Sequence, residues 1–75
     1  MSERTEMEKL RVLLPHWIEH NLEHADEFRR WAEEAGRAGQ VEIAREILAA
    51  AQGLEEANES LRAASRRLGG PPESA

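Results

Sequence analysis

From Val41 to Leu68, apolar and small residues recur at alternating steps of four and three: Ile43, Ile47, Ala50, Leu54, Ala57, Leu61, Ala64 and Leu68. That alternation marks one face of an α-helix packed as in a coiled coil. Gly53 and Ser60 flank the same stripe, so its profile is low and a partner helix can come close. A second helical pattern precedes it. Thr5-Glu6-Met7-Glu8 has the spacing of a capping box and predicts a helix start at Glu6. Leu10, Leu13, Trp17, Phe28, Trp31 and Ala35 then share one face. Pro15 removes a helical hydrogen bond and crowds the carbonyl of Arg11, which predicts a kink or a break near Pro15. Gly36 is placed to cap this helix, with residues 36–40 as the turn, and Gly69-Gly70-Pro71-Pro72 ends the second helix at Leu68.

The bulky stripe of the first helix and the small stripe of the second are complementary, and a short turn makes the helices antiparallel neighbours. The pattern therefore predicts an all-α fold: an antiparallel helical hairpin over residues 1–68 with a disordered tail over 69–75. Trp17, His24, Phe28, Trp31, Ile47, Leu54 and Leu61 are its expected core. Leu14, Ile18, Ala25 and Ala32 form a further apolar flank of the first helix, about 60–100° away. One partner helix cannot cover so wide an arc. Two hairpins meeting as a homodimeric four-helix bundle would, with Leu14 and Ile18 between the subunits.

Size sharpens this. A chain of 75 residues forms one domain at most, and a lone hairpin buries little surface without a staple. It has no cysteine, so metal or self-association remains. Ten basic against 15 acidic residues give a net charge of −5, which argues against nucleic acid and anionic membrane as partners. Nothing approaches the ~20 apolar residues of a membrane span. The charged Met1-Ser2-Glu3-Arg4 start does not read as a signal peptide, so a cytoplasmic protein is expected. With no tyrosine and one phenylalanine, strands are not expected.

The candidate chemistry lies on the first helix. His16, His20 and His24 are the only histidines, each four residues from the next. A step of four turns about 400°, so consecutive rings sit one above the other in two overlapping i,i+4 pairs. Glu23 and Glu27 lie on the same flank. Imidazole and carboxylate at these spacings are the donors used on metal-binding bundle helices, and they suit nickel, zinc, cobalt or copper. His16 and His24 are about 12 Å apart along the axis. One ion would thus take an adjacent pair, His20 and His24 first, with His16, Glu23 or Glu27 assisting and with Glu55, Asn58 or a second chain completing the site.

The alternative reading is a non-enzymatic dimerisation or protein-interaction bundle in which His24 pairs with Asn58 or Asn21, fixing register. A buried neutral His24 would make stability fall on acidification. Several enzyme readings fail: the E-x-x-H pairs of diiron bundles, H-E-x-x-H, a cysteine nucleophile and a glycine-rich phosphate loop are all absent from the sequence, and hydrolytic or redox chemistry at an open metal position is left as a third alternative.

The run Leu14-Pro15-His16-Trp17-Ile18-Glu19-His20-Asn21-Leu22-Glu23-His24-Ala25 resembles the signature of an uncharacterised group of short prokaryotic helical segments. Their P-H-W-x-x-H-N-x-x-H-A core is followed by a phenylalanine and a tryptophan, here Phe28 and Trp31, and by an Ala/Glu-rich second helix. The resemblance spans most of residues 8–68 and implies a link to small metal-handling proteins, with nickel or cobalt favoured.

Overall fold

The computed structural model describes residues 3–72 and consists of two helices, α1 (Glu3–Arg37) and α2 (Val41–Arg67), packed side by side as an antiparallel hairpin. Among the described residues there is no strand. Thirty-five residues at about 1.5 Å each give α1 a length near 52 Å, and it sets the long dimension of a 53 × 20 × 19 Å rod.

Two expectations about α1 are corrected. It is already helical at Glu3, ahead of the expected start at Glu6, and it runs through Pro15 without a break, which removes the broken form of the expectation and leaves the kinked form standing. An interior proline costs a helix about 3 kcal/mol. Here Leu14 and Ile18, on either side of it, are held against α2, and this packing keeps the helix continuous.

The turn is tighter than expected. α1 runs past Gly36 to Arg37, and Gly39, at φ +82°, takes the left-handed position. The Gln40 N–H donates to the Ala35 carbonyl at 2.8 Å and the Gly39 N–H to the Gly36 carbonyl at 3.0 Å. This is the Schellman pattern, which satisfies carbonyls that a helix end would otherwise leave open. The same pair of bonds recurs at the end of α2, from Gly70 to Ser65 at 2.8 Å and from Gly69 to Arg66 at 3.0 Å. Residues 69–71 of the expected tail take part in this turn and in contacts with α1. Arg11 Nε donates to the Gly70 carbonyl at 3.0 Å and Arg11 Nη2 to the Pro71 carbonyl at 3.3 Å, tying this segment to α1. Residues 73–75, the rest of the expected tail, lie outside the described residues.

The interface is a heptad seam, but not the expected one. On α2 the residues turned inward are Ala44, Ile47, Ala51, Leu54, Asn58, Leu61 and Ser65, followed by Leu68 at its C-cap. Ile47, Leu54, Leu61 and Leu68 were expected there. Ile43, Ala50, Ala57 and Ala64 were also expected there but are exposed. On α1 the inward residues are Leu14, Ile18, Asn21, Ala25, Phe28 and Ala32. The flank assigned to a dimer contact is therefore the hairpin's own core. Leu14, placed between subunits by the sequence pattern, is buried inside one chain. The expected anchors Trp17 and Trp31 are 40% and 61% exposed.

The physical reason is close approach. Ala25, Ala32 and Ala51 are fully or almost fully buried, and no indole fits between helices that meet through alanines. The polar cost of this seam is met internally. Asn21 Nδ2 donates to Asn58 Oδ1 at 2.9 Å, and Asn58 Nδ2 donates to the Ile18 carbonyl at 3.1 Å. Asn58 is wholly inaccessible to solvent, yet no buried side-chain polar atom among the described residues lacks a partner.

Candidate functional site: a histidine flank and an exposed aromatic face

All three histidines are exposed, which corrects the expectation that His24 is core. Its side chain is 57% accessible. The buried polar partner of Asn58 is Asn21, not a histidine. The two overlapping histidine pairs differ. His16 and His20 are in contact, with ring centroids 4.3 Å apart and planes inclined by 52°. His24 turns away from them: its Nδ1 lies 3.8 Å from Glu27 Oε1, and its ring lies 6.2 Å from that of Phe28. Glu23 is exposed on the same flank. Glu55, a candidate donor from α2, is instead taken by an ion pair with Arg29, which also meets Asp26 at 3.1 Å. Among the described residues no three histidine, aspartate or glutamate side chains converge as a metal would require. The expected residues thus separate into a His16–His20 pair and a His24–Glu27 pair, with no group of three.

The more extensive feature is one that the sequence pattern revealed but misplaced. Leu13, Trp17 and Trp31 project from α1 on the side where Phe28 borders Ile43, Glu46, Ile47 and Ala50 of α2. Helical periodicity brings Ala57 and Ala64 onto that side with Ile43 and Ala50, and Gly53 and Ser60 lie at its edge. One broad face of the hairpin therefore carries a bulky row on α1 beside a row of small residues on α2. Phe28, Ile43, Ile47 and Ala50, with Glu46 at the margin, line a shallow, open and largely apolar hollow of about 270 Å³ in this face. Because Asn21 meets Asn58, Trp31 lies level with Leu48, and hence with this hollow.

The opposite side has its own groove of about 540 Å³, between Pro15, Ile18 and Leu22 of α1 and Arg62, Arg66 and Pro71 beyond. It is the space left where the Arg11 clasp pulls the chain end across the helix pair. No helix among the described residues is long and apolar enough to cross a membrane.

Comparison with known proteins adds a family but no activity. The chain is 38% identical over 63 residues to an uncharacterised protein of Archaeoglobus fulgidus, a match that covers 84% of this chain and all of the relative. No solved structure matches it. The model of the family described as "Domain of unknown function (DUF8180)" matches residues 10–68, which takes in both helices and the histidine flank, and the chain belongs to that family.

Proposed function

We propose that the hairpin is a non-enzymatic, self-associating interaction module. Two copies stack face to face, so that the Leu13/Trp17/Trp31 row of each lies over the Ala50/Ala57/Ala64 row of the other in a four-helix bundle. The observation that carries this reading is that both rows lie on one exposed face. A two-fold axis parallel to the helices turns such a face into its own complement, bulky over small in both halves. It also sets each Trp31 over the partner's hollow at Phe28, Ile43, Ile47 and Ala50.

Magnitudes support a partner of this kind. Among the described residues the buried apolar side chains are one leucine and three alanines, Leu14, Ala25, Ala32 and Ala51, a core too thin for a lone hairpin to be comfortable. A compact 8.5 kDa monomer exposes about 4,700 Å², whereas this rod exposes 5806 Å².

Sedimentation equilibrium at micromolar concentration tests the reading. The expected mass is twice the 8.5 kDa of one chain. Ala57→Glu should give a monomer that keeps its helical circular dichroism, because Ala57 is solvent-facing in the single hairpin. Leu14→Glu, in contrast, should unfold the hairpin itself, since it places an unpaired charge in the core. A wild-type monomer at these concentrations, or an Ala57→Glu variant that still dimerises, would refute the proposed face.

A further inference from the structure

We propose that His16 and His20 form an open two-imidazole chelate for a divalent transition ion, with copper(II) held most tightly. By helical periodicity His20 lies within about 20° of Leu13 and Trp31 and so borders the proposed contact face, with His16 about 40° further round. The chelate therefore stands beside that reading, and titrating the Ala57→Glu chain in parallel separates a failed chelate from a covered one. Three observations converge. The rings are one helical turn apart and already in contact, with centroids 4.3 Å from each other, so chelation requires no backbone movement. Their planes are inclined by 52°, and rotation about the broad terminal torsion of each imidazole can aim a nitrogen of each ring at a common point. Both residues are exposed, so an ion can reach them with much of its hydration intact.

The structure also chooses between the overlapping pairs. In the structure the His20 ring meets that of His16, while His24 Nδ1 lies 3.8 Å from Glu27 Oε1 and its ring 6.2 Å from that of Phe28. No third donor converges on this pair among the described residues, so the remaining coordination positions fall to water or to an incoming ligand. Such a site exchanges its ion rather than locking it into the fold. Glu19 and Glu23 are exposed nearby, and the chain carries a net charge of −5, both of which favour a cation at this flank. Imidazole donors suit copper, nickel, cobalt and zinc, and the general order of divalent affinities places copper above both nickel and zinc.

The test is isothermal titration of the full chain, without a histidine tag, with copper(II) chloride and then with nickel(II) and zinc(II) chlorides near neutral pH. The expected result is one copper per chain, bound more tightly than nickel or zinc and released on acidification as protons compete for the same nitrogens. His16→Ala and His20→Ala should each weaken copper binding by about tenfold or more, since the second arm of a chelate acts at high effective concentration. His24→Ala should change it by less than about twofold on the same reasoning. The copper(II) electron paramagnetic resonance spectrum should show coupling to two nitrogens, reduced to one in His16→Ala. All three positions are exposed, and circular dichroism checks that each variant stays helical. No copper binding at micromolar concentration, by wild type and Ala57→Glu alike, would overturn the proposal. So would a His24→Ala variant weakened as much as His16→Ala, or equal small losses in all three, the pattern of isolated single-histidine contacts.

Discussion

Removing the Asn58 side chain is the most informative perturbation of the hairpin. Asn58→Ala deletes the bond accepted from Asn21 at 2.9 Å and the bond donated to Ile18 at 3.1 Å. Each is worth about 1 kcal/mol net, and the small cavity left behind adds about another 1 kcal/mol. The expected loss is about 2–4 kcal/mol, a large part of the roughly 4–11 kcal/mol available to a chain of this length. Asn21→Ala should cost nearly as much although Asn21 is only half-buried. It leaves Asn58 Oδ1 without its donor at a position of 0% exposure, and an orphaned buried acceptor costs about 1–3 kcal/mol. Urea denaturation followed by circular dichroism on both single variants and the double variant closes a cycle, with an expected coupling of about 1–2 kcal/mol between the two amides. The double replacement by leucine should recover or exceed wild-type stability while loosening the register. A cost below about 0.5 kcal/mol for Asn58→Ala, or additive single effects, would refute the pairing on which the packing account rests.

Other outcomes follow from local geometry. Gly36→Ala should raise the melting temperature, because Gly36 is helical with open space at its Cβ and alanine gains about 0.5–1 kcal/mol there. Gly39→Ala should lower it, because the space is equally open but φ is +82°; equal signs for the two would contradict the assigned turn. Arg11→Ala should cost about 1 kcal/mol or less and speed amide exchange at Gly69 and Gly70, and unchanged exchange there would mean that the clasp does not hold the chain end. Arg29→Met should cost less than about 1 kcal/mol in thermal melts, since its partners Asp26 and Glu55 are solvent-exposed.

Much of the fold was legible in the chain. Gly36–Gly39 and Gly69–Pro72 delimit the helices, and steps of three and four reveal seams on both. The choice between adjacent seams was not legible, and the reason is specific. On α2 the register of Ile43, Ala50, Ala57 and Ala64 is wholly apolar, whereas the one buried here carries Asn58 and Ser65. Summed hydrophobicity favours the former. What favours the latter is a side-chain amide bond between residues 37 positions apart, which periodicity does not express. On α1 the tryptophans dominate any hydrophobic reckoning, but their bulk excludes them from a contact made through alanines. Once Trp17 and Trp31 face outward, His24 on the same side is carried out with them. The spacing of the histidines revealed two overlapping pairs, and only the positions of the Glu27 and Phe28 side chains distinguish them. The Arg11 clasp left no pattern at all, since its acceptors are backbone carbonyls of Gly70 and Pro71.

The Arg11 clasp also fixes how the hairpin meets a mechanical load. Because Arg11 reaches Gly70 and Pro71, the leading part of α1 and the chain after α2 emerge at one pole, with the Gly39 turn at the other. Tension applied through these two strands of chain pulls the helices apart sideways. The seam then opens like a zip, first at Arg11, next around Leu14, and later at the Asn21–Asn58 rung. Each step breaks only one layer, so the yield force is low and the opening gradual. A load between one end and the turn instead runs along the rod and must slide a whole row of side chains at once. The same hairpin is therefore compliant along one pulling direction and stiff along the other.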